Sequence, residues 1–375
     1  MFSASRFFSW SVLLLALVVL AAGCGKGGGD STATPEPGGS DSGGAGKRII
    51  ILTNGTSPFW DAAKIGAQEA AADLKVAESG LRVVVDTNDF SDKGQIDKLR
   101  SYQGMSDVAG VGISITNSGN SSIADELRKL AKQGVKVITI DSDVDRKNDR
   151  TARIAYIGTD NVYGGEELGK AAKGLKPGGG NYATFVGLKG AANAIERIGG
   201  FGVGAGDKFK QKENFGDGGD QNTARKNVRD AIDRNADLDT LVGIWSYNAP
   251  AIVDIVTQLK RRKDFTIVTF DAEPIAIDHM KNGKIDAMAV QNPHAMGYEG
   301  VRMLKALITD DKDALAAMEK RMNRTEEKDL FDTGLKIIIP DEGSPLADTK
   351  FGDNTNKLTL SKFTEWLKSK GLQGS

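Results

Sequence analysis

The sequence is poor in the residues that usually carry redox, metal and nucleic-acid chemistry. Its 375 residues include one cysteine, two histidines and only 6% aromatic residues. With Cys24 as the single cysteine, an internal disulfide and a cysteine-based zinc site are excluded. The two histidines, His279 and His294, are too few to favour a histidine metal cluster. The 49 basic residues are balanced by 50 acidic ones, so no basic excess exists to neutralise a phosphate backbone. We therefore predict no metal, no cofactor and no nucleic-acid partner.

Residues 1–23 are typical of an export signal. Residues 12–20 are small and apolar, and Arg6 is the only charged residue before Cys24. This run is too short to cross a bilayer, which takes about 20 apolar residues. Small residues directly before Cys24 resemble a bacterial lipoprotein signal, and the resemblance implies that residues 1–23 are removed and that the Cys24 sulfur is lipidated. An ordinary signal peptide followed by a chance cysteine is the alternative.

A Gly, Ser, Thr and Pro segment at residues 24–46 has almost no side chains to bury. Such a composition predicts a flexible tether, with a reach of about 25 Å for a chain of this length. The sequence therefore predicts a protein held near a membrane surface in the periplasm or cell envelope, but not in the membrane.

From residue 47 onward, short β-branched runs alternate with helical patterns. Strands are predicted at 48–53, 81–86, 109–115 and 135–140, and the rhythm restarts after residue 153. Alternation of this kind predicts parallel sheets covered by helices on both faces, here as two similar lobes. The charged segment 309–332 is predicted to be an exposed helical insertion.

Motifs for catalysis and nucleotide binding are absent or incomplete. The stretch 164–171 nearly matches a phosphate-binding loop but ends in Ala171, where Mg²⁺ binding needs a hydroxyl. The glycine-rich stretch 200–205 follows a helical pattern instead of a strand, so it lacks the context of a dinucleotide site. A glycosidase using Asp141 and Asp271 is an alternative, but no matched acid–base pair is evident. We predict that the protein is not an enzyme.

Polar and aromatic side chains recur just after the predicted strands, where parallel sheets bind ligands. Phe59 and Trp60 follow the first strand, and aromatic faces can stack on the C–H face of a polyol ring. Asp141, Asp271 and Gln291 follow later strands, and their planar groups match vicinal hydroxyls, as does the guanidinium of Arg197 on a neighbouring helix. A single Asp or Asn after a strand often only caps the next helix, but the combination favours a neutral polyol site.

These residues carry a resemblance to a known family. The body resembles bacterial periplasmic sugar-binding proteins of the ribose- and galactose-binding type over residues 47–308, with 334–339 as a final strand. The motifs that carry it are SPFW at 57–60, ITID at 138–141, GTDNVYGG at 158–165, Glu196-Arg197, Phe270-Asp271 and Gln291 before Pro293.

The resemblance implies an α/β fold of two doubly wound parallel-sheet lobes joined by a three-segment hinge, the type I periplasmic binding protein fold. Lobe one would hold residues 47–157 and 293–332, and lobe two residues 158–292 and 333–375. The implied crossings lie near 157–159, 291–293 and 332–334.

The resemblance also implies a ligand site. Phe59 and Trp60 would sandwich a sugar ring, while Asp141, Arg197, Asp271 and Gln291 would hydrogen-bond its hydroxyls. The remaining implied ligand residues are Ser57, Asn248, and Ser142 at a position where ribose binders carry Arg.

The predicted function is a monomeric, lipid-anchored binding protein that delivers a monosaccharide or related polyol to an ABC permease. A sensor of the same fold that feeds a signalling or chemotaxis receptor is an open alternative, as is a binder of a non-sugar small molecule. A transcription regulator of this fold would need an N-terminal helix-turn-helix, where residues 1–46 instead hold a signal and a tether.

Overall fold

A computed structural model describes residues 46–322 and 326–375, and their strands form two sheets. The first sheet contains β1 (Lys47–Leu52), β2 (Leu81–Asp86), β3 (Val108–Ile113), β4 (Lys136–Ile140), β5 (Tyr156–Gly158) and β11 (Leu330–Asp332). Its strand order is β11-β5-β4-β3-β1-β2, and every neighbouring pair is parallel. Its strands are rich in Ile and Val, as expected where both faces of a parallel sheet are buried.

The second sheet is built from the middle and the end of the chain. It contains β6 (Gly180–Val186), β7 (Phe209–Gly216), β8 (Thr240–Gly243), β9 (Thr266–Phe270), β10 (Ala287–Val290), β12 (Leu335–Ile339) and β13 (Thr355–Thr359). Its strand order is β13-β12-β10-β9-β8-β6-β7. The first five of these strands in chain order pair in parallel, whereas β12 runs antiparallel to β10.

Helices cover both faces of each sheet. In chain order they are α1 (Pro58–Asp73), α2 (Asp92–Gln103), α3 (Ser121–Lys132), α4 (Asn161–Leu175), α5 (Ala192–Ala205), α6 (Gln221–Arg234), α7 (Asn248–Gln258), α8 (Pro274–Lys281), α9 (Pro293–Thr309), α10 (Lys312–Glu319) and α11 (Leu360–Ser369). Helices α1 and α9 cover one face of the first sheet, while α2 and α3 cover the other. The second sheet is likewise enclosed by two hydrophobic clusters.

Two glycines let α4 and α5 approach closely. A Cβ atom at Gly165 would lie 2.3 Å from the Arg197 carbonyl oxygen, and one at Gly200 would lie 2.1 Å from the Val162 carbonyl oxygen. Such distances are far shorter than van der Waals contact, so only glycine fits at either position. The contact fixes the helix that carries Arg197.

The chain passes between the two sheets three times. The passages lie between β5 and α4, between β10 and α9, and between β11 and β12. The predicted fold class of two parallel-sheet α/β lobes is thereby confirmed.

Three details differ from the sequence-based expectations. The antiparallel β12 interrupts the otherwise parallel second sheet, and β13 was not predicted. The segment 309–332 is not simply an exposed insertion, because Met318 and Met322 are buried and its last residues form β11. The predicted signal (1–23), Cys24 and all but the last residue of the tether (24–46) lie outside the described residues.

Candidate functional site

A cavity of about 380 Å³ lies between the carboxyl ends of the two sheets. Its lining residues come from both lobes, from several strand ends and from the helices that follow them. They are Asn54, Ser57, Phe59, Trp60, Phe90, Asp141, Asn193, Arg197, Trp245, Ser246, Tyr247, Asp271 and Gln291.

One aromatic wall of the cavity is formed where α1 begins. Pro58 occupies the first helical turn, where its missing N–H costs nothing, and brings the next two side chains inward. Phe59 and Trp60 lie edge to face with ring centroids 5.1 Å apart. The Trp60 indole N–H donates to Asn54 Oδ1 at 3.0 Å, which fixes the orientation of the ring.

A second aromatic wall faces the first. Trp245 follows β8 and stacks on Phe90 of the other lobe, with centroids 6.3 Å apart and planes inclined by 30°. The Trp245 indole N–H donates to Asn193 Oδ1 at 3.1 Å. Tyr247 completes this wall and donates its hydroxyl to the buried Asp217.

Two aspartates occupy equivalent places at the ends of central strands. Asp141 follows β4 and Asp271 follows β9, and both are almost fully buried. Both adopt left-handed backbone conformations, with φ of 64° and 62°. Such conformations are uncommon outside glycine, and Asp is among the residues that tolerate them best. The turn lets each carboxylate face the cavity directly after its strand ends.

Arg197 lies between these two carboxylates. Its nitrogens come within 3.7 Å of Asp141 and 3.9 Å of Asp271, both beyond good hydrogen-bond distance. The guanidinium lies 4.5 Å over the Phe270 ring, and it donates to Asn161 Oδ1 at 2.9 Å and to the Ile244 carbonyl at 3.1 Å. Within the described part of the chain, its buried Nη2 has no hydrogen-bond partner.

Burial dominates the electrostatics of both carboxylates. Desolvation raises the pKa of Asp271 to about 6, although Arg197 and hydrogen bonds from Gln291 act in the opposite direction. Burial also raises the pKa of Asp141, against Arg197 and hydrogen bonds from Ser114 and Asn193. The site thus holds two carboxylates that one guanidinium does not fully compensate.

Seven of the nine predicted ligand residues line the cavity, namely Ser57, Phe59, Trp60, Asp141, Arg197, Asp271 and Gln291. The other two, Ser142 and Asn248, are fully buried and do not line it. Asn248 accepts from the Trp245 backbone N–H and donates to Asp217, so it supports the loop that carries Trp245.

Six lining residues were not among the predicted set: Asn54, Phe90, Asn193, Trp245, Ser246 and Tyr247. Each of them had a signal in the sequence, since Asn54 follows β1 and Trp245, Ser246 and Tyr247 follow β8. Phe90 follows β2. Asn193 precedes Arg197 by four residues, which places Asn193 and Arg197 on one face of α5.

Contacts across the cleft hold the two lobes together. The Ser118 backbone N–H and hydroxyl donate to the Gly190 carbonyl at 2.9 and 3.1 Å. Asn193 donates to Asp141 Oδ2 at 3.1 Å. The lobes are therefore in a closed arrangement around the cavity.

The described residues contain no group of three or more His, Cys, Asp or Glu side chains placed to hold a metal ion. Over the same residues, no helix combines the length and the apolar character needed to cross a bilayer.

Comparison with known proteins gives a consistent result. The family model for the periplasmic binding protein domain matches residues 48–312. A curated relative, the ribose import binding protein of Bacillus subtilis (strain 168), is 24% identical over 301 residues, which cover 76% of this chain and 88% of that protein.

Solved structures share the fold. GanP, a glucose-galactose binding protein from Geobacillus stearothermophilus, superposes with a TM-score of 0.67 at 21% identity, over 78% of this chain and 97% of that one. An ABC transporter solute-binding protein from Agrobacterium vitis with bound D-fucose has a TM-score of 0.69 at 20% identity, over 80% and 97% of the two chains.

Proposed function

Because the chain belongs to the periplasmic binding protein domain family, we propose that it captures a monosaccharide or related polyol between its lobes and delivers it to an ABC permease. The family places the protein outside the cytoplasm. The relatives described above are named as binding proteins for ribose, for glucose and galactose, and as a solute-binding protein holding D-fucose. Their ligands support the class of ligand proposed for this chain.

The single observation that carries this proposal is the convergence of planar polar groups and aromatic faces on one cavity. Asp141, Arg197, Asp271 and Gln291 surround the same space as Phe59, Trp60 and Trp245. Among the described residues, Arg197 Nη2 and Gln291 Oε1 are buried without hydrogen-bond partners. Buried polar atoms normally have partners, and adjacent hydroxyls of a polyol can accept from the first and donate to the second.

The charge of the cavity favours a neutral ligand. Its charged lining residues are Asp141, Asp271 and Arg197, so ionised side chains leave it one negative charge in excess. A phosphate or carboxylate ligand would add buried negative charge to this excess, which is costly without further cations. Hydroxyl groups add no charge and can donate to the carboxylates.

Closure of the lobes is the proposed mechanism of capture. The three passages between the sheets act as the hinge, and the contacts of Ser118 with Gly190 and of Phe90 with Trp245 form when the cleft closes. A ligand that contacts both lobes binds the closed form better and shifts the population toward it. The permease would recognise this closed form.

The organisation of the chain around this body is part of the proposal. We assign residues 47–157 and 293–332 to lobe one, and 158–292 and 333–375 to lobe two. Lipidation of Cys24 and the tether to residue 46 would hold a monomeric body near the membrane. Labelling of expressing cells with a radioactive fatty acid, for the full chain and for Cys24→Ala, tests the anchor. Equal labelling of both would contradict it.

Thermal unfolding of the full chain tests the proposed ligand. The panel is D-ribose, D-arabinose, D-galactose, D-fucose, myo-inositol, glycine and L-glutamate. A ligand at 100 times its dissociation constant adds about 2.7 kcal/mol to the stability of the folded state, which raises the unfolding midpoint by about 4 °C for a body of this size. We expect such a shift with at least one sugar or polyol.

Two variants connect that shift to the cavity. Arg197→Met should abolish it, because Arg197 lies between both carboxylates. Ser142→Ala is the matched control next to Asp141, and it should keep the shift because Ser142 does not line the cavity. A shift with the amino acids alone, or with no compound of the panel, would contradict the proposed ligand class.

A further inference from the structure

A buried chain of hydrogen bonds connects the two lobes beneath the cavity. Arg197 Nε donates to Asn161 Oδ1 at 2.9 Å. Asn161 Nδ2 donates to Tyr156 Oη at 3.0 Å. The single Tyr156 hydroxyl proton has two carbonyl acceptors, Asp141 at 2.8 Å and Thr159 at 3.1 Å. Each of the four residues is at most 4% exposed. With the shorter of the two Tyr156 contacts, the donors follow one direction, from the guanidinium of one lobe to the Asp141 backbone of the other.

The two residues in the middle of this chain bracket the first passage between the sheets. Tyr156 begins β5 of the first sheet, and Asn161 is the first residue of α4, which packs on the second. Only four residues separate them, so their hydrogen bond spans the passage. A Cβ atom at Gly158 would lie 2.3 Å from Tyr156 Oη, which shows how closely the passage wraps around the phenol.

The chemistry of each group fixes its role. The Asn161 amide must present its oxygen to Arg197 and its nitrogen to Tyr156, which determines the orientation of the side chain. Burial raises the pKa of Tyr156 well above its ordinary value, so the phenol stays protonated and remains a donor. Its bond to the Asp141 carbonyl holds a residue whose backbone is left-handed, with φ of 64°.

We propose that Tyr156 and Asn161 are positioning residues, which hold Arg197 and the Asp141 backbone in the sugar-binding arrangement only while the first passage has its closed-lobe conformation. We call this chain of hydrogen bonds, from Arg197 through Asn161 and Tyr156 to Asp141, the relay. A change of the backbone dihedrals between Tyr156 and Asn161 would separate its two ends. The relay thereby couples closure of the lobes to the geometry of the site. This inference rests on the proposed function, since it concerns the same cavity.

The test compares Tyr156→Phe with Tyr102→Phe in the full chain. Tyr102 is also buried in lobe one and donates its hydroxyl to Asp86, away from the cavity, so Tyr102→Phe removes a buried phenol hydroxyl without touching this chain of hydrogen bonds. Affinity is measured by titration calorimetry with D-ribose, D-arabinose, D-galactose and D-fucose. Closure is measured without sugar by hydrogen exchange of the Ser118 amide, which donates to Gly190 across the cleft.

We expect Tyr156→Phe to weaken sugar binding about tenfold, because it leaves a buried donor and a buried acceptor unpaired at the site. It should also speed exchange at Ser118 about tenfold. Tyr102→Phe should also lower the unfolding midpoint but leave both readouts unchanged. Asn161→Ala, which breaks two of the three bonds, provides a second variant if Tyr156→Phe folds poorly, and it should weaken binding at least as much.

Equal affinity and equal Ser118 exchange in Tyr156→Phe and Tyr102→Phe would overturn the relay. A wild-type chain that binds neither these four sugars nor myo-inositol would contradict the proposed function instead. In that case the hydrogen-exchange rate of the Ser118 amide still tests whether the relay holds the lobes closed, because this rate is measured without a ligand.

Discussion

Replacing Asp271 with Asn should stabilise the protein without sugar at neutral pH while weakening its affinity for sugar. Asp271 is 3% exposed, and burial raises its pKa from 3.8 to about 6 despite the nearby Arg197. Ionisation of Asp271 therefore costs more free energy in the folded protein than in the unfolded chain. The amide introduced by Asp271→Asn would have nearly the same shape as the carboxylate without its charge, and a turned Gln291 amide could accept a hydrogen bond from it.

The magnitude follows from the difference between the two pKa values. A difference of about 2 units, at about 1.4 kcal/mol each, corresponds to about 3 kcal/mol. Well below pH 3.8 the carboxyl is protonated in both the folded and the unfolded state, so it contributes nothing to the difference in stability between the variants. As the pH rises from about 4 to 6, the unfolded chain loses this proton first, so the stability that Asp271 contributes falls and the full penalty is present above about pH 6.

Thermal midpoints of the wild type and Asp271→Asn, measured without sugar at pH 4, 5, 6 and 7, test this account. The two midpoints should nearly coincide at pH 4, and the variant should be higher by about 4 °C at pH 7. Asp329→Asn is a control of opposite sign, because burial of Asp329 is outweighed by its bonds to Arg153, which lower the pKa of this carboxyl. An Asp271→Asn variant that is less stable than the wild type at pH 7 would refute the reasoning.

Two further substitutions follow from other contacts. Trp245→Ala removes the ring stacked on Phe90, and titration calorimetry should show sugar binding weakened by about ten- to a hundredfold; unchanged affinity would show that this wall does not contact the ligand. Arg153→Met leaves the carboxylates of Asp143 and Asp329 without their buried partner, and urea unfolding should show a loss of about 3–5 kcal/mol. A loss below about 1 kcal/mol would contradict a structural role for that ion pair.

The sequence predicted the features that depend on simple periodicity. The β-branched runs indicated the parallel strands, and the rule that ligand groups follow the carboxyl ends of strands led to Asp141, Asp271 and Gln291. The direction of β12 against β10 could not be predicted, because an antiparallel strand has the same apolar composition as a parallel one.

Two predicted ligand residues, Ser142 and Asn248, do not line the cavity, and the reason could not be read from the sequence. Adjacent side chains in a loop after a strand point in different directions, and the amino-acid sequence does not show which of them faces the cavity. Asn248 turns back to the Trp245 backbone, whereas Tyr247 beside it lines the cavity. Ser142 follows a residue with left-handed backbone, so the chain turns and buries its side chain away from the ligand space.

A crystal structure of the protein grown with the sugar that gives the largest thermal shift tests the central claim most directly. We expect one sugar ring in the cavity, between the Phe59–Trp60 wall and Trp245, with hydroxyls bonded to Asp141, Arg197 and Asp271. Density for the sugar at another place, or an open cleft without sugar at saturating concentration, would contradict it.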